Sequence, residues 1–180
     1  MKRKNIEIEI RSLIDEEKYK KLLKFFKKEG KFISKENQTS YYFSGKNDLR
    51  IQKSDKYAKI WLKKGMMHDD FREEIEVMLN LGEFENANRL FESLGFKKEI
   101  IWLRTRNVFS WKNIKVMLDN TKGYGYILEL EKMGDLADRD MVIEDLKRKM
   151  DLLGIKETSK EEFGKKFEYY KNNWEKLIAQ

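Results

Sequence analysis

Ile6-Glu7-Ile8-Glu9-Ile10-Arg11 alternates without a break: every second side chain is isoleucine, and each one between is charged. A period of two is the pattern of a strand with one apolar face and one charged face. Leu128-Glu129-Leu130-Glu131 repeats it near the other end of the chain, and Arg72/Glu74/Glu76 and Arg104/Arg106 keep the same spacing in between. One charged strand face belongs in water. Acids and bases gathered on one side of several strands point instead to a polar lumen.

Working outward from residues 6–11, the first strand is expected over about 4–13, followed by a helix to Glu29. Asp15 stands where an N-cap belongs, Tyr19, Leu22, Leu23, Phe25 and Phe26 form the buried stripe, and Gly30 is the terminator. Strands over about 32–43, 49–53 and 57–64 are separated by Ser44-Gly45-Lys46-Asn47-Asp48 and Ser54-Asp55. A fifth strand runs over about 71–78 after the loop 65–70, and a helix over about 83–94 stops at Gly95. Strands over about 96–109, 112–119 and 126–133 form an antiparallel meander, and helices over about 138–153 and 159–179 follow it. With no proline, glycines supply most of the punctuation. This order predicts an α+β fold: a closed eight-stranded antiparallel β tunnel with helices packed on the outside. It is expected to form one domain over 1–180, with a tunnel core at about 4–133 and C-terminal helices at about 138–179.

Composition narrows the chemistry. A chain of 180 residues with 39% charged and 13% aromatic side chains can build a real core. No apolar run approaches the roughly 20 residues of a membrane span, and the basic start Met1-Lys2-Arg3-Lys4 leads into a strand rather than a signal-peptide stretch, so no membrane role is expected. The absence of cysteine fits a cytoplasmic protein and rules out thiolate metal sites. His68 is the sole histidine, so any metal must rely on oxygen ligands, which favours Mg²⁺ or Mn²⁺. The net charge of +7 attracts anions. Much of it sits on helices, at Lys18, Lys20, Lys21, Lys24, Lys27, Lys28, Lys160, Lys165, Lys166 and Lys171, where a solvated face explains it and nucleic-acid binding is not expected.

The alternation places Glu7, Glu9, Arg11, Arg50, Gln52, Lys59, Lys63, Arg72, Glu74, Glu76, Arg104, Arg106, Lys115, Asp119, Glu129 and Glu131 on the polar side of the strands. A small-molecule triphosphate would need this mixture. Guanidinium and ammonium groups neutralise its oxygens, arginine through bidentate hydrogen bonds. Carboxylates beside those bases would repel phosphate unless cations bridged them, and Mg²⁺ commonly does so through one or two carboxylates plus phosphate oxygens.

These pieces resemble the CYTH superfamily, also called triphosphate tunnel metalloenzymes, which includes thiamine triphosphatases, inorganic triphosphatases and class IV adenylate cyclases. The family's opening Glu-x-Glu-x-Lys is matched by Glu7-Ile8-Glu9-Ile10-Arg11, with arginine for lysine. Tyr41-Tyr42-Phe43 and Leu49-Arg50-Ile51-Gln52 match its aromatic strand and Leu-Arg-x-Arg, with glutamine at the second basic position. Arg72-Glu73-Glu74-Ile75-Glu76, Arg104-Thr105-Arg106 and the run from Asp119 through Gly123, Gly125, Glu129 and Glu131 match three later motifs in order. The resemblance spans residues 4–133.

The resemblance implies metal ligation by Glu7, Glu9, Asp119, Glu129 and Glu131. It also implies phosphate binding by Arg11, Arg50, Lys63, Arg72, Arg104 and Arg106, with Glu74, Glu76 and Lys115 along the tunnel wall. Glu7, Glu9, Arg11 and Lys63 are its catalytic candidates. The family lysine often precedes glycine, which would select Lys64, whereas alternation puts Lys63 inside with Trp61 and Lys59; alternation is followed here. The implied activity is divalent-metal-dependent hydrolysis of inorganic, thiamine or nucleoside triphosphate. Class IV adenylate cyclase is the alternative, and a non-catalytic polyphosphate or phosphorylated-RNA binding module is the third reading.

Other features have plainer readings. Lys122-Gly123-Tyr124-Gly125-Tyr126 lacks the Walker pattern and precedes a strand, so it reads as a tight turn. His68, beside Asp69 and Asp70, reads as an exposed bystander. Phe163, Phe167, Tyr170, Trp174 and Leu177 recur at helical spacing and read as the face that packs the last helix on the outside of the barrel, with a homodimer contact or a partner groove as the second reading.

Overall fold

The computed structural model describes residues 5–63 and 74–179. The elements follow the expected order: β1 (Asn5–Ile14), α1 (Glu16–Glu29), β2 (Lys31–Phe43), β3 (Asp48–Lys53), β4 (Ala58–Lys63) and β5 (Glu74–Leu79) come first. Then come α2 (Phe84–Ser93), β6 (Lys98–Trp111), β7 (Ile114–Thr121), β8 (Gly125–Asp135), α3 (Arg139–Leu152) and α4 (Lys160–Ala179). Short 3₁₀ turns at Leu81–Glu83 and Leu136–Asp138 lead into α2 and α3. The eight strands form one antiparallel sheet in the order β1-β8-β7-β6-β2-β3-β4-β5. His68, Lys64, Arg72 and the start of the fifth expected strand lie outside the described residues. Two compact units divide the chain: Met1–Lys35 with Arg106–Asn120 and Gly125–Phe163, and Glu36–Thr105 with Thr121–Tyr124 and Gly164–Gln180.

In the first unit the alternation that opens the chain is realised in packing. Ile6, Ile8 and Ile10 are buried against Val116 and Leu118 of β7 and Leu128 and Leu130 of β8. Tyr19, Leu22 and Phe26 of α1 and Val142, Leu146 and Met150 of α3 join the same core. Asp15 caps α1 by accepting the Lys18 amide at 2.7 Å, satisfying one of the helix's orphan donors. Gly30 ends the helix in extended backbone, with φ −107°. Its glycine is required by space rather than handedness, because a Cβ there would lie 2.9 Å from the Phe26 carbonyl oxygen. Ser12 interrupts the isoleucine face, and its buried hydroxyl donates to the Lys156 carbonyl at 2.7 Å. The β6–β7 hairpin turns through Lys112 and Asn113, both at positive φ (47° and 62°), as a two-residue turn between right-twisted strands demands.

In the second unit Phe43, Ile51, Ala58, Phe84 and Ala87 form a separate core, with Tyr41, Leu49, Ile60, Leu79, Phe91 and Phe96 packed around it. Here α2 lies against the apolar side of β3 and β4. In β5, Ile75 and Val77 are exposed.

Candidate functional site

The polar face of the first unit brings together most of its predicted residues. Antiparallel register sets Glu9 directly opposite Glu131 and Arg11 opposite Glu129, with Glu7 opposite Met133. Asp119 is completely buried (0% exposed), and Glu131 and Glu129 nearly so (6% and 8%). Carboxylates at such burial require cationic or hydrogen-bonding partners. Arg106 supplies them for two: Nε donates to Asp119 Oδ1 at 2.8 Å, and Nη2 donates to Asp119 Oδ2 at 2.6 Å and to Glu129 Oε2. Nη1 of the same guanidinium lies 3.1 Å from the sulfur of Met117. Burial alone would lower the Arg106 pKa, but attraction and hydrogen bonds from Asp119 and Glu129 outweigh it and hold the group well above its ordinary value. Lys115 Nζ donates to both oxygens of Glu131, at 3.1 and 3.0 Å. The Arg11 guanidinium lies 4.7 Å from the Phe163 ring centroid.

Among the described residues, no three acidic side chains converge closely enough to hold an ion by themselves. Magnesium asks for less. It usually takes one or two carboxylates and completes its shell with water and phosphate oxygens. The facing pair Glu9 and Glu131 provides that number of hard oxygen donors, and like charges directly opposite in a ladder favour a cation between them. The donor chemistry therefore fits Mg²⁺ or Mn²⁺.

The second unit carries a mainly basic and aromatic array. Arg50 donates through Nε to Asp48 Oδ1 at 2.6 Å and through Nη2 to Asp48 Oδ2, and its guanidinium stacks 4.1 Å from the Tyr42 ring centroid. Lys59 and Lys63 place their ammonium groups 4.3 and 4.1 Å from the Trp61 ring centroid, and Lys59 donates to Glu76 at 2.6 Å. Trp61 pairs with Arg50 in the β3–β4 ladder, so alternation places Lys63 on the polar face as expected. For Glu74 only the backbone register, opposite Lys63, is described. Arg104 donates from Nε and Nη2 to Gln38 Oε1, at 2.9 and 2.5 Å. Gln52, where the family pattern has a basic residue, is buried and donates to Ser40 Oγ at 3.0 Å.

Sequence reasoning missed Gln38 and Asp48, which orient two predicted phosphate ligands. Asp48 could have been found, because it precedes Arg50 by two residues on one strand face. Gln38 carried no signal beyond alternation with Ser40 and Tyr42. The last helix differs from the expected arrangement. In the second unit its Phe167 and Tyr170 meet Tyr42, Trp102 and Tyr124, on the strand face that also carries Arg50 and Arg104. The sequence had this helix on the outer side of the strands. Its aromatic stripe finds aromatic partners on the other face, where Tyr42 and Trp102 break the run of charged residues.

Comparison with known proteins agrees with the geometry. The CYTH domain family matches residues 5–164. A relative from Methanocaldococcus jannaschii, named "Putative adenylate cyclase MJ0240", is 32% identical over 83% of this chain and 90% of its own length. Among solved structures, a conserved hypothetical protein from Pyrococcus furiosus superposes with TM-score 0.69 at 25% identity, covering 84% of this chain and 92% of its own. PH1012 from Pyrococcus horikoshii superposes with the same TM-score at 24% identity, over 84% and 92% of the two chains. The chain belongs to the CYTH domain family and has its fold.

Proposed function

We propose that this CYTH-family chain is a divalent-metal-dependent triphosphatase. One observation carries the reading: the polar strand face of the first unit holds carboxylates and cationic groups interleaved, Glu9 opposite Glu131 and Arg11 opposite Glu129, with Arg106 and Lys115 in the same network. A simple polyanion binder has no use for those acids, which would weaken its affinity. Mg²⁺ or Mn²⁺ bound by Glu9 and Glu131, with Glu7, Asp119 and Glu129 as further ligand candidates, would neutralise developing phosphate charge and lower the pKa of water.

The chain's own residues have separate tasks. Arg11, Arg50, Lys63, Arg72, Arg104 and Arg106 are the proposed phosphate ligands, each a fixed positive charge. Asp48 and Gln38 hold the Arg50 and Arg104 guanidinium groups in place. Hydrolysis itself is attack of water on the terminal phosphorus, with cleavage of the bridging P–O bond and departure of diphosphate. Catalysis of this kind is mostly positioning and charge neutralisation.

The test is phosphate release from inorganic triphosphate, thiamine triphosphate and ATP, with Mg²⁺ or Mn²⁺ and with EDTA. Glu9→Gln and Glu131→Gln should abolish the metal-dependent rate while circular dichroism stays unchanged. Full activity in both variants at limiting metal would remove the assignment. The name of the Methanocaldococcus jannaschii relative favours class IV adenylate cyclase as the second reading. In that reaction the ribose hydroxyl, not water, attacks the α-phosphorus and diphosphate leaves. Cyclic AMP and diphosphate in place of orthophosphate would select it.

A further inference from the structure

We propose that Trp61 is a positioning residue of the phosphate site: its indole gathers Arg50, Lys59 and Lys63 into one fixed cationic cluster. The proposal deepens the triphosphate reading above and rests on its phosphate-binding part. Register sets four side chains in a single row across β2, β3, β4 and β5: Tyr42 opposite Arg50, Arg50 opposite Trp61, and Trp61 opposite Glu76. Direct partners in an antiparallel ladder share a face. Lys59 and Lys63, two residues either side of Trp61, belong to that face as well.

Trp61 is thus bordered by three cations. The Lys63 ammonium lies 4.1 Å from its ring centroid, the Lys59 ammonium 4.3 Å and the central carbon of the Arg50 guanidinium 5.1 Å. All three fall within the roughly 6 Å over which an aromatic face attracts a cation. The contacts do not belong to a wetted surface. The Arg50 and Lys59 side chains are each 13% exposed, against 69% for Lys20 and Lys21 on α1.

The ring does what a carboxylate could not. Three like charges on one sheet face repel one another, and a lysine loses much rotamer freedom when it is held. An acid would hold a cation but would also cancel its attraction for phosphate. Asp48 and Glu76 already offset Arg50 and Lys59 in this way, and a further acid at position 61 would remove more of the positive field. An indole has no net charge, so its face holds a cation and leaves the cation's charge in place. Lys59, tied to Glu76 at 2.6 Å, anchors one side of the ring, and the ring steadies Arg50 and Lys63.

The experiment measures binding of inorganic triphosphate with Mg²⁺ by calorimetry in wild type, Trp61→Phe and Trp61→Leu, with Tm for each. Inorganic triphosphate carries no ring, so it cannot stack on Trp61, and any effect passes through the protein's cations. Trp61→Leu should raise Kd about 5-fold or more, the scale of lost cation–π contacts at a partly desolvated site. Trp61→Phe keeps an aromatic face and should recover most of that loss. The emission of Trp61, taken as wild type minus Trp61→Phe, should change as triphosphate saturates the chain; this arm reads the native protein and decides the matter if Trp61→Leu does not fold. Equal Kd in wild type and Trp61→Leu overturns the proposal. So do equal losses in the two variants, which would make side-chain volume the cause, and an emission difference that triphosphate leaves unchanged. Binding without turnover removes the triphosphatase and leaves the cluster; no binding by wild type removes both.

Discussion

The guanidinium of Arg106 and the carboxylate of Asp119 meet side to side, Nε to Oδ1 at 2.8 Å and Nη2 to Oδ2 at 2.6 Å, with the carboxylate wholly removed from solvent. This is the strong bidentate form of an ion pair. It gives Arg106 a task independent of any phosphate, because Glu129 also depends on it.

Arg106→Ala should therefore destabilise the fold by about 3–5 kcal/mol, the usual cost of stranding a buried charge. Arg106→Lys keeps the charge but loses the fork and should fall between. Urea denaturation of the three proteins measures this. Loss of triphosphate binding at an unchanged midpoint would mean that Arg106 serves the substrate alone.

Arg104 should behave differently. It donates to the neutral amide oxygen of Gln38, which Arg104→Ala leaves without those two bonds. Triphosphate binding should weaken by about 1.5–3 kcal/mol, the scale of a hydrogen bond to a charged group. Gln38→Ala, which removes two hydrogen bonds that orient the guanidinium, should cause part of the same loss by calorimetry, and exposed Lys24→Ala almost none. Equal losses at Arg104 and Lys24 would indicate diffuse attraction.

The strands were legible because period two survives wherever one face is apolar. Ile6, Ile8, Ile10, Leu128 and Leu130 fixed both the faces and, through them, the positions of Glu9 and Glu131. What alternation could not show is which charge answers which. The pairing of Arg106 with Asp119, thirteen residues away, depends on the neighbouring strand's register, and that of Arg104 with Gln38, sixty-six residues away, on a long-range pairing. Nor does a helical stripe disclose which side of a sheet it will meet. Phe167 and Tyr170 read as an ordinary packing face; only the aromatic pair Tyr42 and Trp102 decides their location.

Metal and triphosphate should stabilise the chain together. Phosphate alone is repelled by the acids, and the cation alone competes with Arg106 and Lys115 for them. A ligand binding only the folded state at a hundredfold excess over Kd adds about 2.7 kcal/mol. A non-hydrolysable triphosphate with Mg²⁺ should raise Tm by several degrees, and each component alone by much less. If EDTA leaves the triphosphate shift unchanged, the metalloenzyme reading is wrong.

Gly123 is required twice over. Its φ is +74°, and a Cβ there would lie 2.6 Å from the Leu177 Cβ and 2.8 Å from the Leu177 carbonyl oxygen. Gly123→Ala combines left-handed strain with overpacking against the end of α4, and should cost at least about 2 kcal/mol. Limited proteolysis should detect earlier cleavage near Leu177, and a wild-type digestion pattern with an unchanged Tm would refute the contact.

Tyr170 gives the chain a predictable alkaline limit. Its buried hydroxyl donates to the carbonyls of Ile101 at 3.0 Å and Lys122 at 3.3 Å. Desolvation, with a smaller contribution from Tyr42, raises its pKa above the ordinary 10.0. The folded state therefore holds a proton that the unfolded chain releases near pH 10, and the unfolded state binds fewer protons above that point. Stability from this group is complete below pH 10 and falls as pH rises toward the raised folded-state pKa, by at most about 1.4 kcal/mol per pH unit for one proton. Tyr170→Phe should be less stable than wild type at pH 8, having lost both hydrogen bonds, yet show a shallower decline between pH 10 and 11. Tyr19 and Tyr41, also raised by burial, should leave a residual slope in the variant. Chemical denaturation at half-unit intervals from pH 8 to 11 separates the curves. Parallel declines would show that the Tyr170 hydroxyl ionises in the folded protein as freely as in the unfolded chain.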